Sequence, residues 1–165
     1  MNQRLTSAIG GLAGACALTA LNEGAKRINK NAPRLDVLGM NAVARLVKGG
    51  GLGSTITKGK MMPASLAGDL ISNSLYFGMA GASGKKQTLL RGALLGLGAG
   101  LGALTLAKPL GLDERVVSAT PTTKALTVAW YVIGGLVAGA VINMLGNQKP
   151  EVRSQESEGG VRIKE

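Results

Sequence analysis

Four long apolar blocks alternate with polar segments along the chain. They cover residues 5–21, 64–83, 88–107 and 124–146. At a helical rise of about 1.5 Å per residue, each block reaches across most or all of the roughly 30 Å hydrocarbon core of a bilayer. A helix pairs its backbone N–H and C=O groups with one another, whereas lipid offers these groups no hydrogen-bond partners. The pattern therefore predicts an all-α integral membrane bundle of about four transmembrane helices within residues 1–146.

The first apolar block has two competing interpretations. Arg4 precedes it and small residues lie within it, as in a cleaved signal peptide. The stretch from Leu12 to Cys16 also has a faint likeness to a lipoprotein processing site, where Cys16 would become the lipidated first residue. However, Ala13 stands where a branched aliphatic residue is usual, and the apolar run continues to Leu21. A retained helix is favoured, and both alternatives stay open.

The first loop, residues 22–62, is strongly basic. It carries eight Lys and Arg against only Glu23 and Asp36. Residues 34–48 have helical periodicity, which predicts a short amphipathic helix. Its basic side chains, Arg34, Arg45 and Lys48, are candidates for contact with anionic lipid headgroups. Packing against the end of the bundle is an equal alternative for this helix.

Two other segments have compositions that helices avoid. Residues 49–54 contain four glycines, three of them consecutive, and this composition predicts a flexible linker after the amphipathic helix. Residues 147–165 are rich in Ser, Glu, Gln and charged residues and predict a disordered polar tail.

Glycines recur at a spacing of four in the third and fourth apolar blocks. They are Gly92, Gly96 and Gly100 in the third block, and Gly135 and Gly139 in the fourth. Small residues at this spacing let two helix backbones approach closely in lipid. The pattern predicts a glycine zipper, a helix-packing motif. The partner helix is either part of this chain or part of a second copy.

The second block is the least apolar, and Pro63 before it favours a helix start there. One face carries a polar stripe: Ser65, Asp69, Asn73 and Tyr76. An exposed carboxylate costs about 2.5–3.5 kcal/mol at the membrane centre, so the stripe must face other helices or water. It forms a candidate polar path. The alternative is a structural ion pair of Asp69 with one of three lysines, Lys26, Lys108 or Lys124.

Composition agrees with a membrane location. The 165 residues are 45% hydrophobic but only 2% aromatic, with 26 glycines, and Trp130 and Tyr131 lie where an aromatic belt is expected. The net charge of +10 comes from 19 basic and 9 acidic residues. The basic residues flank apolar blocks and lack aromatic neighbours for base stacking, so we expect the lipid bilayer, and not nucleic acid, as partner.

Residue types important in catalysis are scarce. The chain has no His and one Cys, and its Gly-rich runs miss the spacing of phosphate-binding loops. We therefore expect no catalytic residue, no metal, no cofactor and no enzyme activity. The predicted protein is a multi-pass component of a bacterial inner membrane. Its predicted function is structural, in assembly or in partner binding, and its partner is a second copy or another membrane protein. The alternative is a small permeation or transport protein.

Overall fold

The structure, a computed structural model, describes residues 2–49, 58–82, 84 and 87–147. For residues 46–49 and 58–61 it describes the backbone only. Most of the predicted glycine linker and the predicted disordered tail from residue 148 onward lie outside the described residues, as does the side chain of Lys48.

The described chain is all-α, as predicted. It consists of α1 (Gln3–Ile28), α2 (Leu35–Gly49), α3 (Lys58–Gly78), a single 3-10 turn (Met79–Gly81), α4 (Thr88–Leu106), α5 (Arg115–Ser118) and α6 (Pro121–Asn147). No strand occurs among the residues that the structure describes. The predicted amphipathic helix is present as α2. The short α5 was not predicted, since residues 108–123 read as a polar connection.

Three described helices, α1, α4 and α6, are long and apolar enough to cross a membrane. The prediction of a membrane protein is confirmed at this level. α3 falls short of the same criterion, because the polar side chains on one of its faces lower its mean hydropathy.

Several helix boundaries differ from the prediction: α6 begins three residues early, at Pro121, and α3 ends at Gly78 and gives way to the 3-10 turn before residue 83. α1 continues about two turns past Leu21, and Lys26 and Arg27 in its last turn interact favourably with the helix dipole. α3 begins at Lys58, so the prediction that Pro63 opens this helix was wrong. A proline this close to a helix start removes only one backbone hydrogen bond, and its ring lies exposed on the outer surface.

The four long helices pack side by side in the order α4–α6–α1–α3. Neighbours run antiparallel. Gly92 of α4 lies against Gly135 of α6, while Gly100, two turns further along α4, lies against Val128, two turns back along α6. On its other side, α6 contacts Gly14 of α1 in the same antiparallel manner. α6 is therefore the central helix of the bundle.

The two long connections meet at one end of the bundle. The backbone N–H of Arg34, just before α2, donates to the carbonyl oxygen of Val116 in α5 at 2.8 Å. At the opposite end, the Gln3 amide donates to the Gly81 carbonyl oxygen at 2.9 Å. The start of α1 and the turn after α3 thus share that end.

Large aliphatic side chains lie outside this bundle and small residues lie inside. Leu75 is 73% exposed, Leu90 56% and Leu94 58%, whereas the glycines at the helix contacts are buried. Such an arrangement is unfavourable in water and natural in lipid, where close packing and not aliphatic burial drives helix association. The expectation of an aromatic belt was wrong, since Trp130 and Tyr131 are both buried inside the protein, where Tyr131 packs against Gly96 and Gly100 of α4.

Candidate functional site: a polar cavity between α1, α2 and α3

A cavity of about 190 Å³ lies where α1, α2 and α3 meet. Its polar lining comes from all three helices: Thr19, Asn22, Glu23, Asp36, Ser65 and Asp69. Its apolar lining consists of Leu18, Leu35, Met62 and Leu66. No other cavity identified in the described part of the chain brings together so many ionisable side chains.

Two local features hold α2 over the cavity. The backbone N–H of Leu35 donates to Asn22 Oδ1 of α1 at 3.4 Å. Gly39 lets α2 approach α3, because a Cβ at this position would lie only 2.6 Å from the Ser65 hydroxyl oxygen. The start of α2 therefore forms one wall of the site.

An ion-pair network forms the rim of the cavity. Lys26 Nζ lies 2.6 Å from Glu23 Oε1 and 3.2 Å from Asp36 Oδ2, and Arg34 binds the Asp36 carboxylate through Nε and Nη2, both at 3.2 Å. Burial alone would raise the pKa of Asp36, but hydrogen bonds from Arg34 and Lys26 outweigh it and leave the pKa lowered. Two cations thus balance two carboxylates.

Asp69 lies outside this network. Its Oδ1 accepts a hydrogen bond from Asn73 Nδ2 at 2.9 Å, and none of the ion pairs among the described residues includes it. The expected pairing with a lysine is absent from the described structure. Lys26 is occupied by the rim network, and Lys108 lies 3.8 Å from Glu114.

The predicted polar stripe divides between two places. Ser65 and Asp69 line the cavity, whereas Asn73 and Tyr76 border a separate groove between α3 and α4. The Tyr76 hydroxyl donates to the Leu95 carbonyl oxygen of α4 at 3.1 Å. These four residues therefore do not line one continuous opening in this structure.

The middle of the bundle is closed beyond the stripe. The side chain of Phe77 is fully buried between α1 and α6, against Gly14 and Gly134. Gly11 of α1 packs directly on the α3 backbone, where an added Cβ would lie 2.8 Å from the Gly78 nitrogen. This packing separates the cavity from the opposite end of the bundle.

The structure brings all five predicted packing glycines to the contact between α4 and α6. A Cβ on either Gly92 or Gly135 would collide with the carbonyl oxygen of the other. A Cβ on Gly96 would lie 2.6 Å from Val132 Cα, and one on Gly139 would lie 2.9 Å from Leu89 Cα. These glycines therefore contact a helix of their own chain.

The basic residues of the amphipathic helix are partly engaged by the protein. Arg34 takes part in the rim network, and Arg45 packs its guanidinium against Gly111, whose added Cβ would lie 2.5 Å from Nη2. The side chain of Lys48 lies outside the described residues. Headgroup contact stays a prediction for all three.

Sequence reasoning missed the contribution of α1 to the site. Thr19, Asn22, Glu23 and Lys26 follow one another at spacings of three, one and three, so they share one face of α1. This polar face was detectable, but it lies partly beyond the predicted end of the first block. Its importance depends on α2 folding back over it, which no local pattern indicates.

Comparison of the chain with family models, with curated proteins and with solved structures finds no match. Function therefore has to be inferred from the residues and their arrangement.

Proposed function

We propose that the chain is a four-span, multi-pass protein of a bacterial inner membrane, in which α3 is the fourth span. Support comes from the outer surface of α3 from Met62 onward, where the exposed large side chains are all apolar although the helix as a whole is not. Its exposed large side chains are Met62, Leu66, Ile71 and Leu75, followed by Met79 in the 3-10 turn. Its polar residues Ser65 and Asn73 are buried, which lets such a helix face lipid.

The packing of α1 gives further support, because it lies between α3 and α6 along most of its length. Removal of α1 as a signal peptide would uncover the glycine contacts of both neighbours, including those at Gly11 and Gly14. A retained first span is therefore part of this proposal.

The role we propose within the membrane is assembly, that is, binding of a transmembrane helix from another membrane protein or a second copy. The observation that carries it is a second small-residue face on α4. α6 occupies the face containing Gly96, while Gly98, Ala99, Gly102 and Ala103 border an open groove of about 510 Å³ between α3 and α4. Helices associate in lipid through such faces.

Replacement of Gly102 tests this role. A Cβ at Gly102 meets only the Leu106 side chain, at 3.8 Å, so Gly102→Leu fills the groove without disturbing the bundle. Gly68→Leu is the matched control, because Gly68 is exposed on the outside of α3 with nothing within 4 Å of an added Cβ. Cross-linking in native membranes, followed by purification, should give an adduct that Gly102→Leu loses and Gly68→Leu keeps. An adduct unaffected by Gly102→Leu, or a wild-type chain that forms none, contradicts the role.

Anionic headgroups are proposed as a second contact, made by Arg34, Arg45 and Lys48 at the end of the bundle. α2 presents an exposed Arg45 there, next to membrane-facing helices. Binding to vesicles containing anionic lipid should weaken in Arg45→Gln, and equal binding to neutral vesicles would contradict this contact.

Permeation is the alternative function. The favouring observation is a pair of cavities at opposite ends of the α1–α3 contact, one containing Asp69 and the other lined by Gln3, Ser7 and Gly81. Transport would require α1 and α3 to separate at Gly11. A proteoliposome flux that Asp69→Asn abolishes would support it, and a wild-type protein without flux would contradict it.

A further inference from the structure

The cavity between α1, α2 and α3 contains a buried hydroxyl whose hydrogen-bonding capacity is unused, beside other buried polar side chains. Thr19 Oγ1 is buried and has no hydrogen-bond partner. Ser65 is 4% exposed and Asn22 5% exposed. Both side chains line the cavity, and Asn22 Oδ1 accepts a hydrogen bond from the Leu35 N–H. Leaving a buried polar group unpaired costs about 1–3 kcal/mol, so the unpaired Thr19 hydroxyl in the cavity lining indicates a site for a ligand or water.

One carboxylate that faces the cavity has no cation paired with it among the described residues. Glu23 and Asp36 are balanced by Lys26 and Arg34 in the rim network. Asp69 has only the Asn73 amide as a partner within the described chain. The site therefore favours an occupant with a single positive charge.

The shape and lining narrow the chemistry of that occupant. A volume of about 190 Å³ corresponds to about six water-sized groups, which exceeds the size of a bare inorganic ion. Leu18, Leu35, Met62 and Leu66 provide an apolar wall beside the polar groups. Apolar walls with a few converging polar groups are typical of small-molecule sites.

We propose that this cavity binds a small primary ammonium compound with a short apolar body. Its ammonium group donates hydrogen bonds to the Asp69 carboxylate and to the hydroxyl oxygens of Thr19 and Ser65. Its hydrocarbon part lies against the leucines and Met62. This site goes beyond the proposed assembly role and does not depend on it, since the groove used for assembly lies between α3 and α4.

Binding of n-pentylammonium to the full-length chain in detergent tests the site, with calorimetry and thermal unfolding as readouts. n-Pentanol is the neutral probe of matching shape, and sodium chloride is the inorganic cation probe. We expect binding of n-pentylammonium, at least tenfold weaker binding of n-pentanol, and no rise in unfolding temperature with sodium at equal concentration. Equal binding of the alcohol would overturn the proposal, and so would equal stabilisation by sodium.

Substitutions in the cavity test where n-pentylammonium binds. Asp69→Asn should weaken n-pentylammonium binding at least tenfold, while Asp113→Asn should leave it unchanged, because Asp113 is a surface carboxylate paired with Arg115 at the same end of the bundle. Ser65→Ala should weaken binding severalfold and provides a second variant if Asp69→Asn does not fold. Unchanged binding in the folded cavity variants would refute the site.

Discussion

The carbonyl oxygen of Gly92 in α4 lies where a side chain on Gly135 in α6 would have to be, and the Gly135 carbonyl oxygen occupies the same position relative to Gly92. The two backbones are thus in direct contact at this point of the α4–α6 pair. No other residue type fits at either position without moving the helices apart.

Replacement of Gly92 should therefore destabilise the bundle. Inserting a side chain into a packed contact typically costs about 1–3 kcal/mol, and a clash with backbone should put Gly92→Leu at or above about 3 kcal/mol. Denaturant unfolding in detergent measures this cost. Gly68→Leu, on the exposed surface of α3, should not lower the free energy of unfolding, because nothing lies within 4 Å of an added Cβ and leucine favours a helix more than glycine does. Equal effects of the two substitutions would show that α4 and α6 do not pack in this way.

The hydrogen bond across the same contact should make a smaller contribution. Thr88 is 1% exposed, and its hydroxyl donates to the Gly139 carbonyl oxygen at 2.9 Å. Thr88→Val keeps the shape and removes the donor, so we expect a loss of about 1 kcal/mol in the free energy of unfolding. Thr105→Val is the control, because Thr105 is exposed and bonds only within its own helix, to Leu101. A Thr88→Val protein as stable as the wild type would contradict this hydrogen bond.

Acid should weaken the attachment of α2. The pKa of Asp36 is lowered below its ordinary value of 3.8, so its bonds to Arg34 and Lys26 stabilise the fold fully above that value. The stabilisation disappears as the pH falls through the lowered pKa. The Asp36→Asn protein lacks this stabilisation at every pH. The difference in unfolding temperature between wild type and Asp36→Asn should thus be largest near neutral pH and should shrink as the pH falls below 3.8 and through the lowered pKa. A difference independent of pH would contradict the lowered pKa.

Much of the helical framework was predictable because lipid imposes it. A block of aliphatic residues long enough to cross a bilayer has few alternatives to a helix, so the predicted ends of α4 fall within one residue of Thr88 and Leu106. The spacing of Gly92, Gly96 and Gly100 identified the packed face of that helix. The pattern did not indicate which helix covers this face, since small residues recur in several blocks.

The candidate site was predictable only in part. The spacing of Ser65 and Asp69 placed both on one face of α3. The other walls come from Asn22 and Asp36, which meet only because the loop after α1 folds back on the bundle. That return depends on contacts between distant residues, such as Arg34 with Val116, which leave no local periodicity in the sequence.

The central claim is that four helices cross the membrane, and the side on which each connection lies tests it most directly. Single cysteines can be introduced at five positions, Asn2, Asn31, Gly84, Asp113 and Asn147, in a Cys16→Ser background. The native thiol must be removed because Cys16 is exposed on α1. A membrane-impermeant thiol reagent applied to intact cells, with lysed cells as the control, then reports the side of each position.

Four spans predict that Asn31 and Asp113 are labelled from one side, and that Asn2, Gly84 and Asn147 are labelled from the other. If α3 does not cross the membrane, Gly84 will instead be labelled with Asn31, and Asp113 with Asn2. That second pattern would contradict the four-span bundle.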